Sequence, residues 1–323
     1  MRPCVVVLEP AQHSMALQAE SIPSYFGDYH LSRSRELASG TFGMVYVVCH
    51  KSGGPQLACK VERPGTKATQ VHYEYRIYYD ILQQPRHLSQ YFLSVCDYGT
   101  TPQGFKYMVM DLAGDDLTKV SRRLPRHKLV SLTKECLLGI RAFHQMGYLH
   151  RDVKPSNFVL SQGDRGRQVK LIDLGLAKKF VQDQNHIAIC RKRTMVGTNR
   201  YQSVFTSAYV QSSRRDDILS WVYTCINILG ERLPWQQTPP HIDRIPDEKG
   251  RKKKKQEHVF LLKRICSPNR VTHNCPRAFS RIYASATCLQ FGERPPYERY
   301  IEELSLPDSA GSASAGSASA GSS

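Results

Sequence analysis

Several features that would place this chain in or across a membrane are missing from its sequence. No uninterrupted apolar run reaches the about 20 residues of a membrane-spanning helix. The Cys4–Leu8 run is too short for the core of a secretory signal peptide. The ten cysteines include no C-x-x-C pair, which argues against bound zinc. We therefore expect a reduced, soluble, cytoplasmic protein in which most cysteines are buried small hydrophobes.

Acidic residues and oligomerisation repeats are also scarce. There are 28 Asp and Glu against 45 Lys and Arg, a formal net charge of +17. This excess favours an acidic partner, such as acidic or phosphorylated peptide, an anionic cytoskeletal surface or nucleic acid. Because no groove-reading or base-stacking motif accompanies the charge, we expect no specific nucleic-acid binding. The lack of heptad and Pro-rich segments predicts a monomer.

The 323 residues suit two lobes around a cleft, flanked by segments of low periodicity. Residues 1–24 form a variable head. Residues 306–323 are dominated by a Ser-Ala-Gly repeat, which cannot bury enough apolar surface to offset its ordering entropy, so we expect a disordered tail. Residues 25–305 remain as the folded domain.

The first part of this domain is rich in predicted strands and contains one main helix. Pro85 ends the helical pattern of Thr69 to Gln84. Glu74 lies one residue from the apolar face of this helix and can point toward the sheet. That face is predicted to contain Val71, Tyr75, Tyr78, Tyr79 and Leu82. The strands are predicted at Met44–Cys49, Leu57–Val61, Phe92–Tyr98 and Tyr107–Met110.

The second part of the domain is predicted to be mostly helical. Ile218–Leu229 is apolar on nearly every face, which indicates a helix buried in the larger lobe, and Asp217 precedes it at a position favourable for an acid. An earlier helix carries an apolar face made of Leu129, Leu132, Cys136, Leu137, Ile140 and Phe143.

Two short stretches near the middle of the chain carry groups suited to phosphoryl transfer. They are His150–Asn157 (HRDVKPSN) and Asp173–Gly175 (DLG). In this chemistry the protein aligns a hydroxyl and neutralises oxygen charge. Asp152 would accept or orient the hydroxyl proton, and Asn157 and Asp173 would hold magnesium, which prefers oxygen ligands. A lone His-Arg-Asp is common by chance, but here a glycine-rich turn and a lysine-bearing strand precede it in the expected order.

Taken together, these motifs resemble a eukaryotic protein kinase over roughly residues 29–303. Finer details resemble the casein kinase 1 group, which includes the tau-tubulin kinases: Gly197–Phe205 (GTNRYQSVF), Ser212–Asp217 (SSRRDD) and Leu233–Trp235 (LPW). Lys154–Phe158 is closer to the tau-tubulin branch, and Arg214–Asp217 is closer to casein kinase 1 itself. The branch therefore stays open.

The resemblance implies an α+β, bilobal fold that uses ATP and Mg²⁺. A small β-rich N-lobe with one main helix would span about 25–110, a hinge 111–114, and a larger, mostly helical C-lobe 115–305. Asp152 and Lys154 would be catalytic, and Asn157 and Asp173 would hold the metal. ATP would contact Ala38, Gly40, Gly43, Val45, Ala58, Lys60, Glu74, Met110, Asp111 and Ala113.

The resemblance also bears on specificity and activity. Lys154 and Thr198 favour Ser/Thr over Tyr as the acceptor, with Thr198 bonded to Asp152. Ala38 stands where the first glycine of the loop is usual, and Leu174 replaces the phenylalanine of Asp-Phe-Gly. These two departures are the support for an alternative, a catalytically weak pseudokinase scaffold. Because every catalytic side chain is present, an active enzyme is preferred.

Substrate preference is inferred from two basic clusters that coincide with anion-binding regions of the family. Arg191, Lys192 and Arg193 precede Gly197, and the Lys252–Lys255 run falls in a loop after Pro234-Trp235. We expect acidic or already phosphorylated protein substrates. A solvated charge run and nuclear import remain open for the four lysines. The predicted anion-binding set is Arg191, Lys192, Arg193, Thr198, Lys252 and Lys253.

Overall fold

The computed structural model of the chain describes residues 22–40, 43–65, 70–162 and 167–306, without the side chains of 33–35 and 38–40. Most of the predicted head and nearly all of the predicted tail lie outside the described residues. The first described residue, Ile22, packs against the core of the small lobe.

The small lobe is a six-stranded antiparallel sheet with the strand order β1-β2-β3-β4-β6-β5. Successive side chains of a strand point to opposite faces. On β4, Cys59 and Val61 therefore face one apolar cluster, while Ala58 packs with the helix α1 on the other face. The strands are β1 (Tyr25–Phe26), β2 (Tyr29–Gly40), β3 (Gly43–His50), β4 (Leu57–Glu62), β5 (Val95–Thr100) and β6 (Lys106–Asp111), and the helices are α1 (Gln70–Leu82) and α2 (Arg86–Ser89).

All four predicted strands of the small lobe are present, but β5 begins at Val95 and not at Phe92. The predicted inner face of α1 is partly wrong. Tyr79 and Leu82 are 53% and 45% exposed. The face is instead centred on an acid, because Glu74 is directed inward to a lysine. The buried residues of α1 are Val71, Glu74, Ile77, Tyr78 and Ile81.

The large lobe is mostly helical and confirms the α+β, bilobal prediction. Its six short strands form the antiparallel pairs β7–β10, β8–β9 and β11–β12. The strands are β7 (Tyr148–Leu149), β8 (Phe158–Leu160), β9 (Val169–Leu171), β10 (Lys178–Lys179), β11 (Val181–Gln182) and β12 (Asn185–His186). The helices are α3 (Leu117–Val120), α4 (Arg126–Gln145), α5 (Val204–Ser207), α6 (Arg214–Ile228), α7 (Pro240–Asp243), α8 (Glu248–Ile265), α9 (Pro268–Val271), α10 (Arg277–Cys288) and α11 (Tyr297–Glu303).

Packing between α4 and α6 forms the centre of the large lobe. Every residue of the predicted apolar face of α4 is buried, and α6 is buried along almost its whole length, as predicted. Trp221 is fully buried and donates its indole N–H to the carbonyl of Thr133, 3.0 Å away. This closely packed helix pair supports the loop that contains His150–Asn157.

Two other expectations were wrong. The Lys252–Lys255 run lies within α8, not in a loop, since Asp247 accepts hydrogen bonds from Lys249 N and Gly250 N and the run consists of good helix formers. Of the nine described cysteines, all free thiols, only four are buried.

No helix in the described ranges is both long and apolar enough to cross a membrane.

Gly43, at the start of β3, provides a test of this fold. Its φ is +121°, and an added Cβ would lie 2.5 Å from the carbonyl oxygen of Val61. We expect Gly43→Ala to lower the free energy of unfolding by about 2–3 kcal/mol through backbone strain and this clash. Gly53→Ala is the matched control, because Gly53 has φ +85° but no atom within 4 Å of the new methyl. It should cost only about 1 kcal/mol, and equal losses in chemical denaturation would contradict the clash.

Candidate active site

The loop after β7 is fixed by the buried carboxylate of Asp217, which lies at the start of α6. Asp217 accepts hydrogen bonds from the backbone N–H groups of His150, at 2.7 Å, and Arg151, at 2.9 Å. Arg151 has a φ of 66°, a left-handed conformation that is costly for a residue with a side chain. The two bonds offset that cost and fix the direction in which the chain leaves for Asp152.

Asp217 is in turn held by His144 of α4, which is itself bonded to Tyr297 of α11. Although burial opposes it, hydrogen bonding to His144 keeps the pKa of Asp217 below its ordinary value. The carboxylate is therefore ionised, and His144 Nε2 must donate to it over 2.9 Å. Burial lowers the pKa of His144, so its ring is neutral and Nδ1 accepts from the hydroxyl of Tyr297, 2.6 Å away. Neither His144 nor Tyr297 carried a motif that sequence reasoning could use.

Asp152 is the buried acid of the loop, and three residues fix its carboxylate and backbone. Lys154 Nζ lies 2.6 Å from Oδ2. Both the backbone N–H and the hydroxyl of Thr198 donate to Oδ1 over 2.8 Å, as expected from the sequence. The amide nitrogen of Asn157 donates to the backbone carbonyl of Asp152 over 2.9 Å. The carboxylate therefore has one orientation, with an ammonium group beside it.

A second cluster joins the two lobes. Lys60 Nζ lies 2.5 Å from Glu74 Oε2 and 3.1 Å from Asp173 Oδ1, so the predicted pair is present and extends to a third residue. Burial alone would lower the pKa of Lys60, but the two carboxylates outweigh it and raise that pKa. Lys60 likewise lowers the pKa of Asp173 despite its burial. Glu74 Oε1 also accepts from the backbone N–H of Leu174, at 3.0 Å, so α1 is bonded directly to the DLG stretch.

Between the lobes lies a cavity of about 1310 Å³. Of the predicted nucleotide contacts, Gly43, Val45, Ala58, Lys60, Glu74, Met110, Asp111 and Ala113 line it, together with Asn157 and Asp173. Ala38 and Gly40 have backbones paired with Val45 and Gly43 across the β2–β3 hairpin, while their side chains lie outside the described residues. Sequence reasoning missed Leu160 and Ile172, which also line the cavity. Their positions beside Asn157 and Asp173 were the available signal.

The donor set of the cavity fits magnesium. The amide nitrogen of Asn157 is already used by Asp152, which leaves its oxygen for a cation. Asp173 keeps a quarter of its side chain exposed, at 25%, toward the same cavity. Within the described ranges no group of three or more His, Cys, Asp or Glu could hold a metal ion. Two protein oxygens completed by phosphates and water are the usual arrangement for Mg²⁺.

The predicted anion-binding residues are not brought to one place. Lys192 lines a separate cavity of about 170 Å³, together with Arg151, Lys178 and Thr194. Burial, then Lys192 and Arg151, lower the pKa of Lys178, so this cavity is crowded with positive charge. Sequence reasoning missed Arg151 and Lys178 here, although both adjoin the central motifs. Arg191 and Arg193 are exposed, Thr198 belongs to the Asp152 site, and Lys252 and Lys253 are exposed on α8.

Comparison with known protein families agrees with this geometry. The family model described as the protein kinase domain matches residues 31–292 of the 323-residue chain, well over half of it. The match includes the sheet of the small lobe from β2 onward and every motif residue discussed above.

The neutral state of His144 predicts a pH dependence of stability. Its folded pKa lies below the ordinary value, so the unfolded chain binds a proton first as the pH falls. The stability from neutral His144 should be present above about pH 6.5 and lost as the pH falls toward the folded pKa. We expect the melting temperature to decrease from pH 8 to about pH 5.5, and to decrease less steeply in His144→Asn. Parallel curves for the two proteins would contradict this role.

Proposed function

The chain belongs to the protein kinase family, and on that premise we propose that it is a serine/threonine kinase of the casein kinase 1 group. It transfers the γ-phosphate of ATP to protein hydroxyls and favours acidic or phosphorylated substrates. The single observation that supports this most strongly is the pair of clusters formed by the motif residues: the carboxylate of Asp152 is fixed beside Lys154, and Lys60 is paired with Glu74 in the cleft that Asn157 and Asp173 also line.

In the proposed reaction Asp152 orients the substrate hydroxyl and accepts its proton. Its Oδ1 is occupied by the two bonds from Thr198, which leaves the Lys154 side of the carboxylate nearest the phosphate. Lys154 then contributes positive charge where the transferred phosphoryl group carries its oxygens. The protein thereby supplies alignment and electrostatic stabilisation, the two effects that this chemistry requires.

Nucleotide binding depends on the second cluster. Lys60 contacts the α- and β-phosphates from a position fixed by Glu74. Asn157 and Asp173 would hold magnesium, which when bound neutralises charge on the phosphate oxygens. Val45 and Ala58 contact the adenine ring, and backbone groups of Asp111 and Ala113 recognise its edge. All of these residues line the cleft.

The proposals of a serine or threonine acceptor and of membership in the casein kinase 1 group rest on contacts of the loop after residue 196. Thr198 donates two hydrogen bonds to Asp152, an arrangement that supports serine or threonine as acceptor. Ser203, from the same pattern, hydrogen-bonds Asp216 within α6. These contacts give the sequence pattern shared with the casein kinase 1 group a structural role.

The pseudokinase alternative has weaker support. Leu174 is fully buried and its backbone N–H is bonded to Glu74, so the smaller side chain is accommodated without loss of the cluster. The other departure, Ala38, has a backbone in register with Val45. Neither observation indicates an inactive site.

The preference for anionic substrate rests on the 170 Å³ cavity lined by Lys192, Lys178 and Arg151. Arg151 is partly committed, since its Nε donates to the carbonyl of Leu176 over 2.6 Å. Lys192 is exposed and its side chain remains for a ligand, while Lys178 also donates to Gln211, 3.0 Å away. An anion there would lie beside the loop that contains Thr198.

Replacement of Asp152 tests the reaction. With labelled ATP, magnesium and a peptide substrate, Asp152→Asn should lose at least about 100-fold of the phosphotransfer rate, because the proton acceptor is removed while the shape is kept. Asp183→Asn, which changes an exposed acid outside the cleft, should match the wild type. A wild-type protein with no magnesium-dependent transfer would instead support the scaffold.

Substrate preference is tested with matched peptides that carry Ser, Thr or Tyr as the only acceptor and an acidic or basic flank on its N-terminal side. We expect transfer to Ser and Thr and about tenfold faster reaction with the acidic flank, reduced at high salt by screening. Lys192→Ala should remove most of this difference, and Lys253→Ala tests whether α8 contributes. Equal rates for the two flanks at both salt concentrations would remove the preference.

A further inference from the structure

The loop of residues 196–201, here named the substrate-receiving loop, is held through its backbone carbonyls. The carbonyl of Thr198 accepts from the backbone N–H groups of Tyr201 and Gln202, and four other carbonyls of the loop, those of Val196, Gly197, Asn199 and Arg200, accept from side-chain donors. Gln202 donates to the carbonyls of Val196 and Gly197, at 2.8 and 3.0 Å. Trp235 Nε1 donates to the carbonyl of Arg200 over 2.8 Å. The carbonyl of Asn199, which lies in the chain between Gly197 and Arg200, accepts a hydrogen bond from Nζ of Lys263 on α8.

Lys263 is unusual for a lysine. It is 3% exposed, and its Nζ donates to Asn199 O over 2.7 Å. The same ammonium group lies 5.3 Å from the ring centroid of Trp235 and 5.8 Å from that of Tyr223. These two rings meet edge to face at 4.8 Å, so they form a fixed aromatic wall around the cation.

The surroundings of Lys263 indicate that packing alone does not explain it. Burial lowers its pKa to about 7, with no carboxylate opposing the effect. A methionine would fill similar space without the penalty of burying a charge. The features that distinguish lysine here are its reach and its donor, which bonds the carbonyl of Asn199 at 2.7 Å and reaches the hydroxyl of Ser207 at 3.5 Å. Asn199 immediately follows Thr198, which donates twice to Asp152.

We propose that Lys263 is a positioning residue, which holds the substrate-receiving loop at Asn199 so that Thr198 and the acceptor peptide keep their places beside Asp152. The role rests on the proposed kinase function and adds to it a residue far along the chain, on a helix that contributes nothing to the nucleotide cleft. Lys263 acts through the loop and does not contact substrate.

This role predicts that loss of Lys263 affects the KM for the peptide substrate and leaves the KM for ATP nearly unchanged. Without Lys263, the loop loses the hydrogen bond from Nζ to the carbonyl of Asn199, and the protein substrate should bind a less ordered surface. We expect Lys263→Met to raise the KM for peptide about tenfold, the loss expected for one such bond. The KM for ATP should stay within about twofold, because Lys60 and the nucleotide cleft are untouched.

The experiment compares wild type with Lys263→Met, Lys263→Arg and Arg264→Met. Lys263→Arg keeps a cationic donor and should recover most of the peptide KM. Arg264 is the next residue on α8 and is exposed, so Arg264→Met is the matched control and should behave as wild type. If Lys263→Met does not fold, Lys263→Gln takes its place. Unchanged KM values for both substrates with only a lower melting temperature would overturn the proposal.

A second measurement does not depend on activity. Hydrogen–deuterium exchange of a peptide covering residues 197–203 should be faster in Lys263→Met and near wild type in Lys263→Arg and Arg264→Met. Unchanged exchange in Lys263→Met would overturn the positioning role even in an active enzyme. Faster exchange in a chain that shows no phosphotransfer would instead reject the kinase function and leave the role of Lys263 in holding the loop intact.

Discussion

The arrangement of both lobes depends on one buried ammonium group, Lys60, which lies between two carboxylates from different elements. A buried ion pair contributes little net stability, but the loss of one partner leaves an uncompensated charge and is strongly destabilising. The strand β4, the helix α1 and the loop at Asp173 are therefore favoured only in the relative placement seen here. Glu74 strengthens the coupling, because its second oxygen accepts from Leu174 N. The ion cluster thus contributes more to selecting one relative placement of these elements than to the net free energy of unfolding.

In the large lobe, the loops around Asp152 form no extended sheet, so their backbone N–H and C=O groups are hydrogen-bonded by side chains instead. The two backbone N–H groups just before Asp152 need an acceptor, and Asp217 supplies both of its oxygens. In the substrate-receiving loop, backbone carbonyls need donors, and these come from Gln202, Trp235 and Lys263. The N–H group of His150 belongs to a buried residue and the carbonyls of Val196, Gly197 and Asn199 to half-buried ones, so an unmade hydrogen bond would carry a desolvation cost. The carboxylate of Asp152 is positioned by backbone whose partners include residues distant in sequence, namely Asp217, Trp235 and Lys263.

Much of this could be predicted, because local spacing and sequence order carry the information. Four strands of the small lobe, α4, α6 and the joint motif of Asp152 and Asp173 follow from periodicity and chemical type. The inner face of α1 could not be obtained that way, since hydrophobicity ranks Tyr79 above Glu74 while the structure pairs Glu74 with a distant lysine. His144 and Lys263 were missed for a related reason. Each is an ordinary polar residue on a helix, and only tertiary packing places it beside a loop.

The distribution of charge separates nucleotide binding from substrate selection. Within the cleft, the one ammonium group of Lys60 lies between the two carboxylates of Glu74 and Asp173, so this cluster has a net charge of −1 although the chain carries +17. Phosphates that approach Asp173 meet repulsion from its carboxylate unless a cation accompanies them. The surplus of positive charge lies on exposed surface, and beyond about 8 Å it is screened at physiological salt. The field of exposed lysines such as those of α8 therefore acts on whatever approaches the surface and contributes little in the cleft. On this assignment, the affinity for ATP and the choice of protein substrate can change independently.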